Sequence, residues 1–217
     1  STLFPYTTLF RSSYLQSNGN DVFVVTPNNI FCIATHKNNV ENVVKTPHPL
    51  TNDHFIILRD KVHNMWLAAG NHLYRLDNDS KEWIDINNVH NVKSIVTTRS
   101  AYTFVATTNN GLYIFSPNSE ELTNFTQAPP NTEGLLTNHI EKLYYSEELD
   151  AVVVSYNKGN LSIITPNTDK YIFFSLASAA SQYHPEDVIS LANSSDSKCF
   201  WAGSEDGGIF RMKSSGD

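Results

Sequence analysis

Histidine, carboxylate and amide side chains are the groups of this chain that could bind a ligand or catalyse a reaction. The histidines are spread along the sequence, at His36, His48, His54, His63, His72, His90, His139 and His184. No two of them have the His-x-x-x-His spacing of a metal site, and Cys32 and Cys199 form no Cys-x-x-Cys pair. The sequence also contains no Gly-x-Ser-x-Gly, P-loop or dinucleotide-binding motif. We therefore predict no metal site and no cofactor.

Many of the polar residues fall in short segments that precede or separate apolar runs. The candidate ligand-binding residues in these segments are Asn52, Asp53, His72, His90, Asn110, Asn138, His139, Tyr156, Lys158, His184, Glu205 and Asp206. Amide, carboxylate and imidazole groups suit sugar hydroxyls, and the ring of Tyr156 could stack on the face of a sugar. The same residue types are also those that tight turns require, so each position has a structural explanation beside the functional one.

Catalysis by a lyase or glycosidase would need clustered carboxylates or histidines. The candidates that the sequence offers are Asp53, His90, His139, His184, Glu205 and Asp206. No adjacent pair of carboxylates, Glu205 and Asp206 included, is set in a distinctive sequence frame, as two-carboxylate hydrolysis would favour. We predict that this part of the protein is not an enzyme, and a propeller lyase or glycosidase stays as an alternative.

The elements that must position these residues repeat along the chain. Each of five copies has an apolar strand, a turn of Asn, Asp or Gly, and a second apolar strand. The second strands open at residues 30, 73, 112, 161 and 209, so the steps are 43, 39, 49 and 48 residues. Further short runs rich in β-branched and aromatic residues lie before and after each pair. A period of about 40–50 residues with about four strands is typical of a β-propeller blade.

The repeats predict an all-β fold, a partial β-propeller of four-stranded antiparallel blades. We place the five repeats at about 20–46, 50–87, 90–126, 134–175 and 184–213. The first lacks a convincing first strand and the last lacks a fourth, so we expect three complete blades. An incomplete ring would leave an exposed blade face. We also expect the innermost strands, such as Phe55-Ile-Ile-Leu58 and Val152-Val-Val154, to be buried on both faces and the aromatic residues of the strands to pack between blades.

Composition sets further limits. The chain has 217 residues, 40% of them hydrophobic, a net charge of −7 and no run of 18 apolar residues. It has no basic stripe, which argues against nucleic acid as a partner. Cys32 and Cys199 lie far apart inside predicted strands, and we expect both to be buried free thiols.

The repeats resemble two-component regulator propeller repeats. The resemblance rests on Gly134-Leu-Leu-Thr-Asn-His-Ile140, Met65-Trp-Leu-Ala-Ala-Gly70 with Leu73-Tyr-Arg-Leu76, and Phe200-Trp-Ala-Gly-Ser204 with Gly208-Ile-Phe-Arg211. It covers about residues 20–213, with two good copies and three degenerate ones that include Ala151-Val-Val-Val-Ser155. The WD dipeptide is absent. Separately, residues 2–12 resemble the in-frame translation of a sequencing adapter, and we expect residues 1–12 to be an artefact.

The resemblance implies the sensor region of a Bacteroides-type hybrid two-component system. Such a region would lie in the periplasm, as part of an inner-membrane protein anchored by a downstream helix that this chain lacks. It would bind oligosaccharides, and a homodimer is compatible with it. The alternative from another class is a protein-interaction propeller scaffold.

Overall fold

The described residues form antiparallel sheets. The computed structural model describes residues 14–18, 21–34, 39–50, 55–117, 122–129, 134–147, 149–156, 161–166, 171–175, 188–193, 199–204 and 209–213. The proposed artefact at residues 1–12 lies outside them. Every regular element within these ranges is a strand, which confirms the predicted all-β class. No helix in these ranges is long and apolar enough to cross a membrane.

The chain divides into two compact units, Ser1–Asn88 and Val89–Asp217. Unit 1 contains two four-stranded sheets, and in each the strands follow one another in chain order. Blade 1 consists of β1 (Tyr14–Asn18), β2 (Asp21–Val25), β3 (Asn29–Ala34) and β4 (Asn39–Lys45). Blade 2 consists of β5 (Phe55–Arg59), β6 (Met65–Ala69), β7 (His72–Leu76) and β8 (Trp83–Asp85).

Unit 2 contains three sheets with the same antiparallel order. Blade 3 consists of β9 (Val92–Thr97), β10 (Thr103–Thr107), β11 (Leu112–Phe115) and β12 (Leu122–Phe125). Blade 4 consists of β13 (Ile140–Ser146), β14 (Ala151–Tyr156), β15 (Leu161–Pro166) and β16 (Tyr171–Ser175). Blade 5 has three strands among the described residues, β17 (Val188–Asn193), β18 (Cys199–Ser204) and β19 (Ile209–Lys213).

Blade 1 corrects the sequence-based count of complete blades. Strand β1 pairs with β2 from Tyr14↔Val25 to Asn18↔Asp21, so the first blade has four strands and begins before residue 20. The run Tyr-Leu-Gln-Ser-Asn has little apolar alternation of its own. The pairing of β1 depends on the open edge of the apolar strand β2. The residue pattern within one strand does not reveal that such an edge is available.

Alternate residues of each sheet lie on opposite faces, and one face of a blade packs against the next blade. We call the face that meets the following blade the leading face and the opposite one the trailing face. In unit 1, the leading face of blade 1 and the trailing face of blade 2 form one apolar core: Phe23, Val25, Ile30, Cys32, Phe55, Ile57, Met65, Leu67, Ala69, Tyr74 and Leu76. Blades 3 and 4 form the equivalent core of unit 2: Phe104, Ala106, Leu112, Ile114, Ile140, Leu143, Val152, Val154, Tyr156 and Ile164.

In blades 2, 3 and 4 the second strand is more buried than the first. Strands β6, β10 and β14 are buried at every position, whereas β9 and β13 alternate between buried and more exposed residues. The expectation of burial on both faces is therefore wrong for the first strands β9 and β13, whereas it is confirmed for Val152, Val153 and Val154, which lie in the second strand β14. A first strand lies at the edge of its sheet and has a neighbour on one side only, so part of it stays open to water.

Cysteine and aromatic residues follow the expectations in most places. Cys32 is buried and free, which confirms its prediction, and its Sγ accepts a hydrogen bond from Arg59 Nη2 at 3.2 Å. The side chain of Cys199 lies outside the described residues. Trp66 is buried, and Trp83 Nε1 donates to the carbonyl of Lys45 at 2.7 Å, which joins blade 2 to blade 1.

The turn between β5 and β6 is organised by one buried carboxylate. Asp60 Oδ1 accepts from the backbone N–H of Val62 and Asn64, at 3.0 and 2.8 Å. Its Oδ2 accepts from Asn64 Nδ2 at 2.9 Å and from Trp66 Nε1 at 3.0 Å. His63 completes the turn with a positive φ of 70°. Four donors satisfy a carboxylate that is only 5% exposed, so its burial is compensated.

Blades 3 and 4 are joined at the corresponding turns of unit 2. The backbone N–H of Arg99 donates to Tyr145 Oη at 2.9 Å, and Tyr145 Oη donates to Asp150 Oδ1 at 2.6 Å. Arg99 Nη2 also donates to the carbonyl of Glu147 at 2.7 Å. Burial, with the hydrogen bond to Asp150 as the second cause, raises the pKa of Tyr145 to about 12.

Replacing Asp60 with Ala should destabilise the protein. The change removes the acceptor of four hydrogen bonds and leaves the indole N–H of Trp66 buried without it. We expect the free energy of unfolding to fall by about 2–4 kcal/mol, measured by urea denaturation with tryptophan fluorescence. The control is Asp79→Ala, which alters an exposed residue and should change that free energy by less than about 0.5 kcal/mol. Equal unfolding midpoints for the two variants would contradict this account.

Replacing Tyr145 with Phe should change how stability depends on pH. The pKa of Tyr145 in the folded protein lies above the usual tyrosine value of about 10, so its stabilising effect is present below pH 10 and is lost as the pH rises toward 12. The difference in unfolding free energy between wild type and Tyr145→Phe should therefore shrink over this range. Urea titrations at several pH values measure it, and a difference that stays constant with pH would disprove the assignment.

Candidate functional site

The loops that enter first strands lie beside the turns that join second and third strands. In unit 1, the N–H of Thr46 donates to the carbonyl of Asn28 at 3.0 Å, and that of Leu50 donates to Pro27 at 2.8 Å. In unit 2, the N–H of Gly111 donates to Asn138 at 3.0 Å. Each bond joins a turn of one blade to the loop entering the next. The two sets of segments that contain the candidate residues therefore come together within each unit.

In unit 1 these segments surround a cavity of about 280 Å³. Its polar lining comes from His48, Asn71 and His72, and its apolar lining from Leu50, Phe55 and Ala69, with Gly70 in the turn. Gly70 has a φ of 59°, which lets β6 turn back into β7 at the cavity lining. The cavity is slightly smaller than a typical drug-sized pocket of about 300 Å³ or more, so it suits a small polar molecule.

His72 is fixed on two sides. Its Nδ1 lies 3.0 Å from Asp85 Oδ2, and its ring stacks on Tyr74 with centroids 5.8 Å apart and an interplanar angle of 21°. The neighbouring β8 supplies Asp85, which pairs directly with Tyr74 across the strands. The second carboxylate oxygen, Asp85 Oδ1, is buried without a hydrogen-bond partner. The ring of His72 is therefore held at the cavity while its side chain remains 47% exposed.

Tyr74 links His72 to the second histidine of the cavity. His48 Nε2 is 3.1 Å from Tyr74 Oη, and its ring meets the Tyr74 ring edge-on at 5.9 Å. Burial, with the negative charge of Asp85 as the second cause, raises the pKa of Tyr74. The phenol therefore stays neutral at physiological pH and holds both imidazoles by hydrogen bonding and ring contact.

In unit 2 a smaller polar group lies on the first strands of blades 3 and 4. His139 Nε2 is 2.7 Å from Glu141 Oε1, and Lys93 Nζ is 3.8 Å from Glu141 Oε2. The three side chains are 36–44% exposed. Toward a polar ligand, the carboxylate of this group can accept hydrogen bonds, and the imidazole and the ammonium group can donate them.

Two β-bulges position Lys93 and Glu141 of this polar group. The register of β9 against β10 shifts so that Lys93 is an extra residue, and that of β13 against β14 shifts so that Glu141 is one. A bulge redirects the side chain of its extra residue. The N–H of Leu143 also donates to Ser94 Oγ at 3.1 Å, which holds the two first strands together just beyond the bulges.

The other candidate residues of unit 2 divide between structural and exposed positions. Asn138 Oδ1 accepts from the N–H of Gln127 at 2.6 Å, so this amide holds the loop before β13. Asn110 is exposed, and its N–H donates to Thr107 Oγ1 at 3.0 Å. His90 is half-buried in the loop before β9. Asn138 thus has the turn-forming role that its residue type allowed, whereas Asn110 faces water.

Tyr156 corrects the sequence analysis. The ring is 1% exposed and its hydroxyl donates to Ser162 Oγ at 3.1 Å, so it cannot stack on a sugar. Burial raises the pKa of Tyr156. The physical reason is that β14 continues through residue 156, and alternation puts Tyr156 on the same face as Val152 and Val154, against blade 3.

Half of the candidate residues lie outside the described part of the chain, at Asn52, Asp53, Lys158, His184, Glu205 and Asp206. Sequence reasoning also missed residues that the structure brings into the two groups, namely His48, Tyr74, Asp85, Lys93 and Glu141. The pairing of Asp85 with Tyr74 could have been inferred from the hairpin register. The sequence contains no pattern that predicts the β-bulges at Lys93 and Glu141. Within the described residues no three His, Cys, Asp or Glu side chains converge as a metal site would require.

A substitution of Asn138 tests whether this residue has a structural role or a ligand-binding role. In Asn138→Ala the N–H of Gln127 loses its acceptor, and we expect the free energy of unfolding to fall by about 1–2 kcal/mol. The matched change Asn110→Ala removes an exposed side chain and should alter it by less than about 0.5 kcal/mol. Thermal or urea unfolding monitored by circular dichroism distinguishes them, and an unchanged stability of Asn138→Ala would refute the role given to this amide.

Comparison with known proteins identifies the fold and goes no further. No family model matches the chain, and no curated protein matches it. Solved structures match well in shape. Hsv2p of Kluyveromyces lactis has a TM-score of 0.60 at 9% identity, over 92% of this chain and 61% of that one. YCF48 of Cyanidioschyzon merolae has a TM-score of 0.55 at 12% identity, over 94% and 69%.

A chain of the mitotic checkpoint complex is similar too, with a TM-score of 0.59 at 11% identity, over 92% of this chain and 60% of that one. The present chain therefore spans about 60–61% of the Hsv2 and checkpoint-complex chains that it matches. At these identities the likeness concerns the fold alone. The resemblance to two-component regulator repeats stays a prediction. The fold is a partial β-propeller of four-stranded antiparallel blades.

Proposed function

We propose that this β-propeller domain binds a small carbohydrate without turning it over, at the cavity of blade 2. The observation that carries the proposal is that polar residues, His48, Asn71 and His72, and an apolar lining share one half-open pocket of about 280 Å³. A sugar has hydroxyls around its edge and C–H groups on its faces. Such a ligand needs both kinds of surface at once.

The rigidity of the rim supports selective binding. Asp85 and Tyr74 hold the ring of His72, and Tyr74 also holds that of His48. Because these side chains are already ordered, little conformational entropy is lost when a ligand binds. The volume favours a single sugar ring, or the end of an oligosaccharide whose remainder extends into water.

We further propose that binding serves a sensor. The repeat motifs resemble those of extracytoplasmic propellers in hybrid two-component systems, where breakdown products of polysaccharides are the ligands. In such an arrangement the blades act as a rigid platform, and the signal would pass by movement between domains to a membrane helix and a kinase. The kinase, the membrane anchor and the periplasmic location are parts of this proposal.

The alternative function is a protein-interaction scaffold. One observation favours it: blade 5 exposes apolar side chains, with Trp201 39% and Ile209 75% exposed. Exposed apolar residues that are grouped on one face indicate a contact surface. The two functions differ in their prediction, since a scaffold needs no sugar in the blade 2 cavity.

The test is a glycan array that contains neutral and uronic-acid oligosaccharides, followed by calorimetric titration of the best binder. We expect His72→Asn to weaken binding about tenfold, because one hydrogen-bonding group in a partly enclosed site contributes about 1–1.5 kcal/mol. The matched control is His63→Asn, since His63 is exposed and belongs to the β5–β6 turn, outside the cavity lining. Asn tolerates the positive φ of that turn.

Two results would overturn the carbohydrate proposal. One is the absence of binding to every glycan by protein whose circular dichroism shows a folded β-sheet domain. The other is equal affinity of His72→Asn and wild type, which would place the ligand elsewhere. Release of reducing sugar from a bound oligosaccharide would instead favour the enzyme alternative.

A further inference from the structure

The hydrogen bonds of the two cavity histidines fix which ring nitrogen carries the proton in the neutral form. An ionised carboxylate only accepts hydrogen bonds, so His72 Nδ1, at 3.0 Å from Asp85 Oδ2, carries a proton. A carbonyl also only accepts, so the proton of His48 is on Nδ1, which lies 3.2 Å from the carbonyl of Pro49. In both neutral rings Nε2 is therefore an acceptor.

Tyr74 supplies the donor for His48. The hydroxyl of Tyr74 lies 3.1 Å from His48 Nε2 and, because that nitrogen accepts, the hydroxyl donates. Burial and, as the second cause, the negative charge of Asp85 raise the pKa of Tyr74, so the hydroxyl keeps its proton at physiological pH. The protons of Tyr74 and of both Nδ1 atoms thus bond to groups of the protein. A ligand that bonds to Nε2 of the neutral His72 ring must therefore bring a donor.

Asp85 gives this side of the cavity a negative charge. Its Oδ2 bonds to His72, and its Oδ1 is buried without a hydrogen-bond partner. A buried carboxylate oxygen is unfavourable unless a donor or a positive charge compensates it. None of the described lining residues is Lys or Arg. A positively charged ligand would supply the compensation that the described lining does not.

We propose that the blade 2 cavity selects a sugar that carries a protonated amino group over neutral and acidic sugars. This inference rests on the carbohydrate binding proposed above and adds the charge of the ligand to it. The ammonium group donates to His72 Nε2, and Asp85 attracts its charge across the imidazole ring. The face of the sugar ring contacts the apolar lining, Leu50, Phe55 and Ala69. A carboxylate on the sugar would meet an acceptor and a like charge, and would be repelled.

Protonation of the cavity histidines weakens this preference. Histidine changes its charge between about pH 5 and 8. When His72 gains a second proton, its Nε2 becomes a donor and its charge cancels that of Asp85. The titratable side chains around His72 are Asp85 on β8, Tyr74 on β7 and His48 on the loop before β5, and a second proton on His48 adds a further positive charge. Affinity for the amino sugar should therefore fall as the pH falls, although the amine itself is then more fully protonated.

NMR or calorimetric titration with monosaccharides tests the proposal. The probes are glucosamine, glucose and glucuronate, with galactosamine, galactose and galacturonate as a second series. In at least one series, at about pH 7, we expect the amino sugar to bind about fivefold more tightly than the neutral sugar, because the attraction acts across an imidazole ring in a half-open pocket. The acidic sugar should bind more weakly than the neutral one.

The variants separate charge from shape. Asp85→Asn removes the charge and keeps an oxygen that can accept from His72 Nδ1, so its affinities for the amino and neutral sugars should agree within about twofold. The matched control Asp79→Asn removes the same charge at an exposed position beyond the opposite end of β7 and should keep the wild-type preference.

The pH dependence gives a second readout. Between about pH 7 and 5.5 the affinity of wild type for the amino sugar should fall about fivefold, and that of His72→Gln, whose side chain does not titrate there, should change by less than about twofold. Circular dichroism checks that every variant is folded at both pH values.

Equal or weaker binding of the amino sugar relative to the neutral sugar in both series would overturn the charge preference and leave carbohydrate binding in place. A preference that is unchanged in Asp85→Asn would overturn the role of this carboxylate. An affinity of wild type for the amino sugar that rises as the pH falls would contradict the proton position assigned to His72. If no sugar binds at all, this inference is overturned together with the proposed function.

Discussion

The constraint on which this structure depends is that every blade has two apolar faces and can bury neither by itself. A four-stranded sheet with alternating residues exposes both rows of side chains until another sheet covers them. Unit 1 covers the leading face of blade 1 with the trailing face of blade 2, and unit 2 does the same with blades 3 and 4. The contact between blades, more than any contact within a blade, therefore forms the cores. It also explains why the second strands β6, β10 and β14, central in their sheets, are buried at every position.

When the faces of the blades are covered, the polar groups at the strand ends still need hydrogen-bond partners. This requirement determines which polar residues remain available to bind a ligand. At one end, buried or half-buried side chains such as Asp60 and Tyr145 bond to the turns and join neighbouring strands or blades. At the other end, turns bond to the loop that enters the next blade, as Gly111 does to Asn138. A residue used for this purpose is no longer available to a ligand. His72 differs, because its partners Asp85 and Tyr74 orient the ring without enclosing it.

The two polar groups have different origins. The cavity of unit 1 follows from a regular hairpin, in which His72 and Asp85 come together because β7 and β8 pair in simple register. The group of unit 2 follows from irregularity, since bulges at Lys93 and Glu141 turn these side chains toward each other. A fold built from repeats thus has a different polar group in each unit, one from a regular hairpin and one from local departures from the repeat.

Alternation and turn chemistry, which short segments carry, are enough to predict the all-β class, the five repeats, the four-stranded blade, the turns and the burial of Cys32. It could place His72 near a loop but could not give it Asp85 and Tyr74 as partners. The pairing and packing of the strands were needed to show that β1 completes blade 1, that Tyr156 is buried, that bulges occur at Lys93 and Glu141, and that Trp201 is exposed. The period of apolar residues along a strand shows which residues share a face of the sheet. Whether that face is buried depends on another sheet lying against it.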